Sequence, residues 1–255
     1  GKAAPDDSVK LPILMYHSIL RDDSRVSDYR ITTTMLEEDL KYLKEHGYTT
    51  VVVEDLINYV TKDQPLPEKM VMLTFDDGFL NNLTDVYPLF LRYDMKGVVS
   101  PVGSYTEQST LSNDPNPEYS YLTWDDLRFM SESGRFEIQN HSYNMHGTKG
   151  RHGALKKNGE STESYIKAFE SDTRQMQNDL LEKSGIKATA YTYPLGAVSD
   201  ESVQVIKNLG MPASFSCYEH WNKITKDPEC LYRLGRYNRS GKYTTESFMK
   251  KVKLS

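Results

Sequence analysis

Long hydrophobic runs are missing from this chain. No apolar stretch approaches the ~20 residues that cross a bilayer, so no transmembrane segment is expected. Excess positive charge is missing too. Against 36 Asp and Glu stand 31 Lys and Arg, a net charge of −5. Composition therefore gives no case for nucleic acid or an anionic membrane as partner. Cysteine is scarce: Cys217 and Cys230 are the two in the sequence. They leave one disulfide in an exported domain, or two thiols, equally open. No signal peptide is visible, and residues 1–10, which begin Gly-Lys-Ala-Ala-Pro-Asp-Asp-Ser, read as a polar tether. No sequence repeat of about 20–50 residues is evident.

What is present is ordinary for a globular chain: 255 residues, 38% hydrophobic and 26% charged. That length suits one large α/β domain or two small ones. Short apolar runs alternate with helical patterns nearly throughout. Strands are expected at Leu11–Tyr16, Thr49–Val53, Met70–Phe75, Gly97–Val102, Phe136–Asn140, Ala188–Pro194, Ala213–Cys217 and Leu231–Tyr237. Helices are expected at Thr33–His46, Glu54–Thr61, Phe79–Tyr93 (kinked or divided at Pro88), Ser161–Lys183, Asp200–Leu209 and Thr244–Val252. A further helix opens at Thr123 with Asp126 in capping-box position and closes at Gly134. Residues 103–122 read as a long loop and 147–160 as an exposed basic excursion. Repeated β-then-α implies a parallel sheet, open or closed into a barrel. No linker divides residues 11–255, which read as one domain.

In such folds the site lies at the carboxyl ends of the strands. The Met70 strand ends in Asp76-Asp77-Gly78. Burying charge is costly unless it is paired or holds a metal. Neighbouring strand side chains face opposite ways, so one acid can face a metal and the other a substrate or water. Taken alone, Asp-Asp-Gly equally fits a strand-to-helix turn with Asp77 as cap. Other strand ends bring His17, and His141 with His146. On an α-helix that pair would sit about 140° apart and could not share a metal. At a strand end followed by a turn the two can converge. Two imidazoles and one carboxylate leave a fourth position for water, the catalytic pattern for zinc. His152 in the basic excursion reads as solvated. His46 sits beside a helix-stop glycine and takes no role. His220 reads as a rim or a solvated residue.

Thr74-Phe75-Asp76-Asp77-Gly78, His141-Ser142 with His146, and Tyr193-Pro194-Leu195-Gly196 resemble the first three motifs of the polysaccharide deacetylases, carbohydrate esterase family 4, or NodB homology domain. Leu14-Met15-Tyr16-His17 and the wide histidine spacing are similar to the branch that includes the poly-N-acetylglucosamine deacetylases. The resemblance covers roughly residues 11–240. It implies a distorted (β/α) barrel of about seven parallel strands. It also implies a divalent metal, usually zinc, on Asp77, His141 and His146, and Asp76 as general base toward the attacking water. The implied reaction is hydrolysis of an N-acetyl amide, or of an O-acetyl ester, on a polysaccharide.

The match has departures. The third motif normally carries an Arg that orients the base, and here Thr192 and Tyr193 stand there. Arg236 of the last strand is the expected substitute. The Leu-x-His motif that supplies an acid is absent, and His17 is its substitute or a hydrogen-bond partner behind the site. The Leu195 N–H is the candidate oxyanion donor, with Tyr193 and Pro194 beside the substrate. The basic excursion is expected to line the cleft and to favour an anionic or bulky glycan. The expected partner is an acetylated polysaccharide, met outside the cell or at its surface by a monomer. Two other classes compete. A carbohydrate-binding relative without turnover would have no need of all three ligands and the base. A receiver-type phosphoryl-transfer protein would need a phospho-acceptor Asp and a strand-end Lys, and has no use for His141 and His146.

Overall fold

A strand covered on both faces reads as an unbroken apolar run rather than an alternation. Met70–Asp77 is such a strand, buried along all but its last residue. In a computed structural model, which describes residues 8–255, it pairs in parallel with Ile13–Tyr16 on one side and Gly97–Pro101 on the other. Gly97–Pro101 then pairs with Phe136–Ile138. A parallel bridge from Asn140 to Tyr191 leads to Ala190–Thr192, which pairs with Ala213–Phe215. A second bridge, Phe215 to Leu234, leads on to Tyr237–Asn238, which returns to Ile13–Tyr16. The parallel neighbours thus follow one another round a circuit, two of its joins being single bridges. The fold is α/β with a mostly parallel central sheet, an order compatible with a distorted barrel. Every strand of the circuit delivers its carboxyl end to one face.

Several helices start where side-chain chemistry allows it. Thr32 Oγ1 accepts from the Met35 N–H and starts Thr33–Glu45, which buries Leu36, Leu40 and Leu43. Thr123 and Asp126 cap each other reciprocally at 3.1 and 2.9 Å to start Trp124–Glu132; the shorter acid reaches as well as the usual Glu. Ser161 caps Thr162–Ser184, which buries Tyr165, Phe169, Met176 and Leu180.

Some expectations fail. Residues 103–122 are not one loop, because Gly103–Ser112 is a helix. Its buried side is small and polar, Thr106 and Ser109, so it shows no apolar stripe. The helix expected over Phe79–Tyr93 divides at Asp85, between Asn81–Thr84 and Val86–Tyr93. Pro88 falls in the first turn of the second piece, where its missing N–H has no partner to lose. The Thr49 strand is two residues long, and Val53 already opens the next helix, Val53–Lys62. Of the expected tether, residues 1–7 lie outside the described residues. Val9–Leu11 is a strand, antiparallel to Asn222–Ile224.

A buried ion pair fastens the first helix to the C-terminal segment. Arg239 Nε and Nη2 donate to the two oxygens of Asp39 at 2.8 and 3.1 Å. Tyr16 and Thr245 donate to the same carboxylate. Removing one partner strands the other charge in the interior, which costs about 3–5 kcal/mol. Asp39→Ala is therefore expected to lower stability by about that amount in denaturant titration. A loss under about 1 kcal/mol would show that the pair is not holding the fold.

Candidate active site

The central strand ends in a sharp bend. Asp77 and Gly78 both take left-handed backbone, φ +80° and +76°. A Cβ on Gly78 would sit 2.7 Å from Pro101 Cβ and 2.9 Å from its Cα, so only glycine fits against the neighbouring strand end. A non-glycine residue at positive φ stores about 1–3 kcal/mol and marks functional sites. The bend sends the two adjacent carboxylates to different partners.

Asp76 is buried against Arg236, which is wholly buried. The guanidinium grips it with two bonds, Nη1 to Oδ1 at 2.7 Å and Nη2 to Oδ2 at 2.9 Å. Arg236 Nη1 also donates to Thr74 Oγ1, and Nε to the Ser216 carbonyl. Burial pushes the Asp76 carboxyl up, but Arg236 and then His141 outweigh it and keep it below the ordinary value. Asp76 is thus an ionised carboxylate at neutral pH.

Asp77 turns toward the histidines. Its Oδ1 is buried without a hydrogen-bond partner, while His146 Nε2 lies 3.0 Å and His141 Nε2 3.2 Å away. One ligand atom from each of the three residues lies within 4.8 Å of the other two. His141 Nδ1 is 2.7 Å from the Thr192 carbonyl, which only accepts, so Nδ1 carries the proton. His141 Nε2 is then the nitrogen that faces the Asp77 carboxylate oxygen. An imidazole nitrogen and a carboxylate oxygen at that distance need a positive charge between them, a proton on Nε2 or a metal ion. Burial pushes the Asp77 carboxyl up, yet the two imidazoles outweigh it and hold it well below the usual carboxylate range. The donor set, two imidazoles and a carboxylate, fits a divalent transition metal with an open position.

The other expected residues divide. A cavity of about 610 Å³ is lined by Asp76, Asp77, His141, His146, His17, Leu195, Tyr29, Arg30, Cys217 and Glu219, among others. His17 Nδ1 is buried without a partner. Burial lowers its pKa, partly offset by Asp76 and Asp77, so the ring is neutral near pH 7. Leu195 has left-handed backbone, φ +59°, and reaches the cavity. Tyr193 does not: its ring is in the core and its hydroxyl meets Ser202 at 2.7 Å. Pro194 is buried and outside the lining. Lys156 and Lys157 also stay clear of it; Lys156 turns to Thr162. The parts of the excursion that reach the cavity are Thr148 and His152. His152 is exposed at its edge and outside the ligand cluster, and His220 is exposed away from it. Both cysteines are free thiols.

Sequence reasoning missed what holds the histidine loop. Asp172, on the long helix, accepts from the Tyr143 and Asn144 N–H groups at 2.9 and 2.8 Å, midway between the two histidines. Asn140 Oδ1 accepts from the Ser142 N–H, and Ser142 Oγ from the Met145 N–H. Tyr105 lies 3.4 Å from His146 Nδ1 through its hydroxyl. The available signal is an acid beside the stripe of Tyr165, Phe169, Met176 and Leu180.

The polysaccharide deacetylase family model matches residues 63–214, well over half of the chain, and the chain belongs to that family. It is 26% identical over 201 residues to YxkH of Bacillus subtilis (strain 168), whose name places it with the polysaccharide deacetylases; the match covers 79% of this chain and 62% of that one. It is 24% identical over 222 residues to the poly-beta-1,6-N-acetyl-D-glucosamine N-deacetylase of Escherichia coli (strain K12), covering 80% of this chain and 33% of the relative. The chain thus spans less than two thirds of either relative's length. The solved structure of a de-N-acetylase from Aggregatibacter actinomycetemcomitans superposes with a TM-score of 0.81 at 24% identity, over 95% of this chain and 99% of that one. That likeness shows the fold.

If Asp172 sets the distance between the two histidines, Asp172→Ala weakens metal binding by about 10–100-fold. Zinc titration against a competing chelator reads this without any turnover. Wild-type affinity in the variant would show the loop to be held by Asn140 and Ser142 alone.

Proposed function

We propose that the protein is a metal-dependent hydrolase that removes acetyl groups from an acetylated polysaccharide. The observation that carries this is the pairing of two unlike carboxylates. Asp77 shares its oxygen with two imidazoles, while Asp76 next to it is ionised and clear of that cluster. Asp77, His141 and His146 would hold the cation, with Zn²⁺ the ion that best suits their donor set. When bound, the cation supplies Lewis acidity to the acetyl carbonyl and lowers the pKa of a water toward ~7.

The chain's own groups do the rest. Asp76 takes the proton from the attacking water. Arg236, bonded to both Asp76 oxygens, fixes the carboxylate's orientation and keeps it ionised. The developing oxyanion needs a preorganised donor. The Leu195 N–H has no partner among the described residues and sits at the cavity, so it fills this role. The leaving amine needs a proton. His17 is neutral in the resting site, so it first gains one from Asp76 or solvent and then passes it on. An ester leaves more easily, so O-acetyl groups are a second substrate class.

The names of the relatives point to N-acetylglucosamine polymers as the first glycans to test. Such polymers lie outside the cell, and we place the protein there or at the cell surface. No described helix is long and apolar enough to cross a membrane.

Acetate release from acetylated glucosamine polymers tests the reading. Release is expected to stop with chelator and return with zinc. Asp76→Asn should lower kcat by about 10²–10⁴-fold with zinc affinity kept. Metal binding without acetate release from any acetylated glycan would instead support a carbohydrate-binding relative.

A further inference from the structure

The two histidines are fixed by different kinds of partner. His141 gives its Nδ1 proton to a backbone carbonyl, that of Thr192 at 2.7 Å. His146 Nδ1 meets a side chain instead, the Tyr105 hydroxyl at 3.4 Å. The same hydroxyl lies 3.3 Å from the His146 carbonyl. A phenol has one proton, and a carbonyl can only accept it. The hydroxyl therefore donates to the carbonyl and turns its lone pairs to Nδ1, which makes Nδ1 the donor of that contact. His146 Nε2 is then the nitrogen that faces Asp77 Oδ1, at 3.0 Å. Both imidazoles thus present the same nitrogen to one carboxylate oxygen, the first set by the backbone and the second by a tyrosine.

Tyr105 is firmly placed. It stands in the first turn of Gly103–Ser112, the helix that hydrophobic patterning does not reveal. That helix begins against the histidine loop: the Gly103 and Ser104 N–H groups donate to the Ser142 and Tyr143 carbonyls at 3.0 and 2.7 Å. A Cβ on Gly103 would lie 2.5 Å from Tyr143 Cδ2 and 2.8 Å from Met176 Sδ, so glycine lets the helix start this close. The Tyr105 ring packs on Tyr121 at 4.6 Å between centroids and meets the His146 ring edge-on at 6.0 Å. Tyr121 in turn stacks on Phe79, the residue after the Gly78 bend, at 5.1 Å. Tyr105 is not among the residues that line the catalytic cavity. It therefore acts through His146 and not on a substrate.

We propose that Tyr105 is a positioning residue for the metal centre: its hydroxyl fixes the tautomer and the ring orientation of His146, so that Nε2 is the nitrogen offered to a cation. A metal-bound imidazole is held in orientation through its other ring nitrogen, and losing that partner weakens metal binding by about 10–100-fold. The proposal rests on the metal site of the deacetylase reading above. It adds to that site a residue that neither ligates the cation nor meets the glycan.

The test compares the wild type with Tyr105→Phe, which removes the hydroxyl and keeps the ring. Zinc affinity is measured against a competing chelator. Solvent exchange of each imidazole Nδ1 proton is followed by NMR at saturating zinc, on protein carrying isotope-labelled histidine. Tyr105→Phe is expected to bind zinc about 10–100-fold more weakly, with faster exchange of the His146 Nδ1 proton. The His141 Nδ1 proton, held by Thr192, should exchange as in the wild type, and the melting temperature of the metal-free protein should not move. Wild-type zinc affinity in the variant, or equal changes in exchange at both histidines, overturns the proposal. So does weaker binding accompanied by a lower metal-free melting temperature, which would make the hydroxyl a contact of the fold. If zinc leaves the signals of both wild-type histidines unmoved, the metal centre itself falls, and the role of Tyr105 with it.

Discussion

One carboxylate oxygen organises the site. Asp77 Oδ1 is buried, accepts no hydrogen bond, and has two imidazole nitrogens turned on it from a separate loop. Left bare, it would cost a few kcal/mol of desolvation. Around it stand a left-handed backbone at Asp77, a glycine pressed on Pro101, and a histidine loop pinned by Asp172 and Asn140. Each has a local cost or a local restraint that makes sense only if those three groups must meet at one point.

The neighbouring acid obeys the opposite logic. Asp76 meets a fixed positive charge, Arg236, rather than a metal-ligand set. Two carboxylates in adjacent positions would repel if they shared an environment. Alternation along the strand separates them: Asp76 is paired with Arg236, and Asp77 faces two imidazoles. One is thereby suited to hold a cation and the other to move a proton.

Much of this was legible in the sequence because it is local. The apolar run before Asp76, the capping pair Thr123 and Asp126, and the stripe of the long helix are read within a few residues. His141 and His146 converge because a turn, not a helix, follows the Phe136 strand. What spacing could not show is remote or unpatterned. Arg236 lies 160 residues from Asp76, and only the absence of an Arg beside Tyr193 directed attention to it. Tyr193 was expected beside the substrate, but its ring turns into the core, where it meets Ser202. Gly103–Ser112 buries Thr106 and Ser109, so no hydrophobic period announces a helix. Lys156 and Lys157 follow His146 in the same excursion, yet the excursion turns them away and offers Thr148 and His152 to the cavity.

The central claim is that Asp77, His141 and His146 grip a single cation. Anomalous diffraction from zinc-loaded crystals tests it most directly. The account predicts one dominant peak, about 2.0–2.2 Å from a carboxylate oxygen of Asp77 and from Nε2 of both histidines. A loaded crystal with no peak there, or with its dominant peak on other residues, would contradict it.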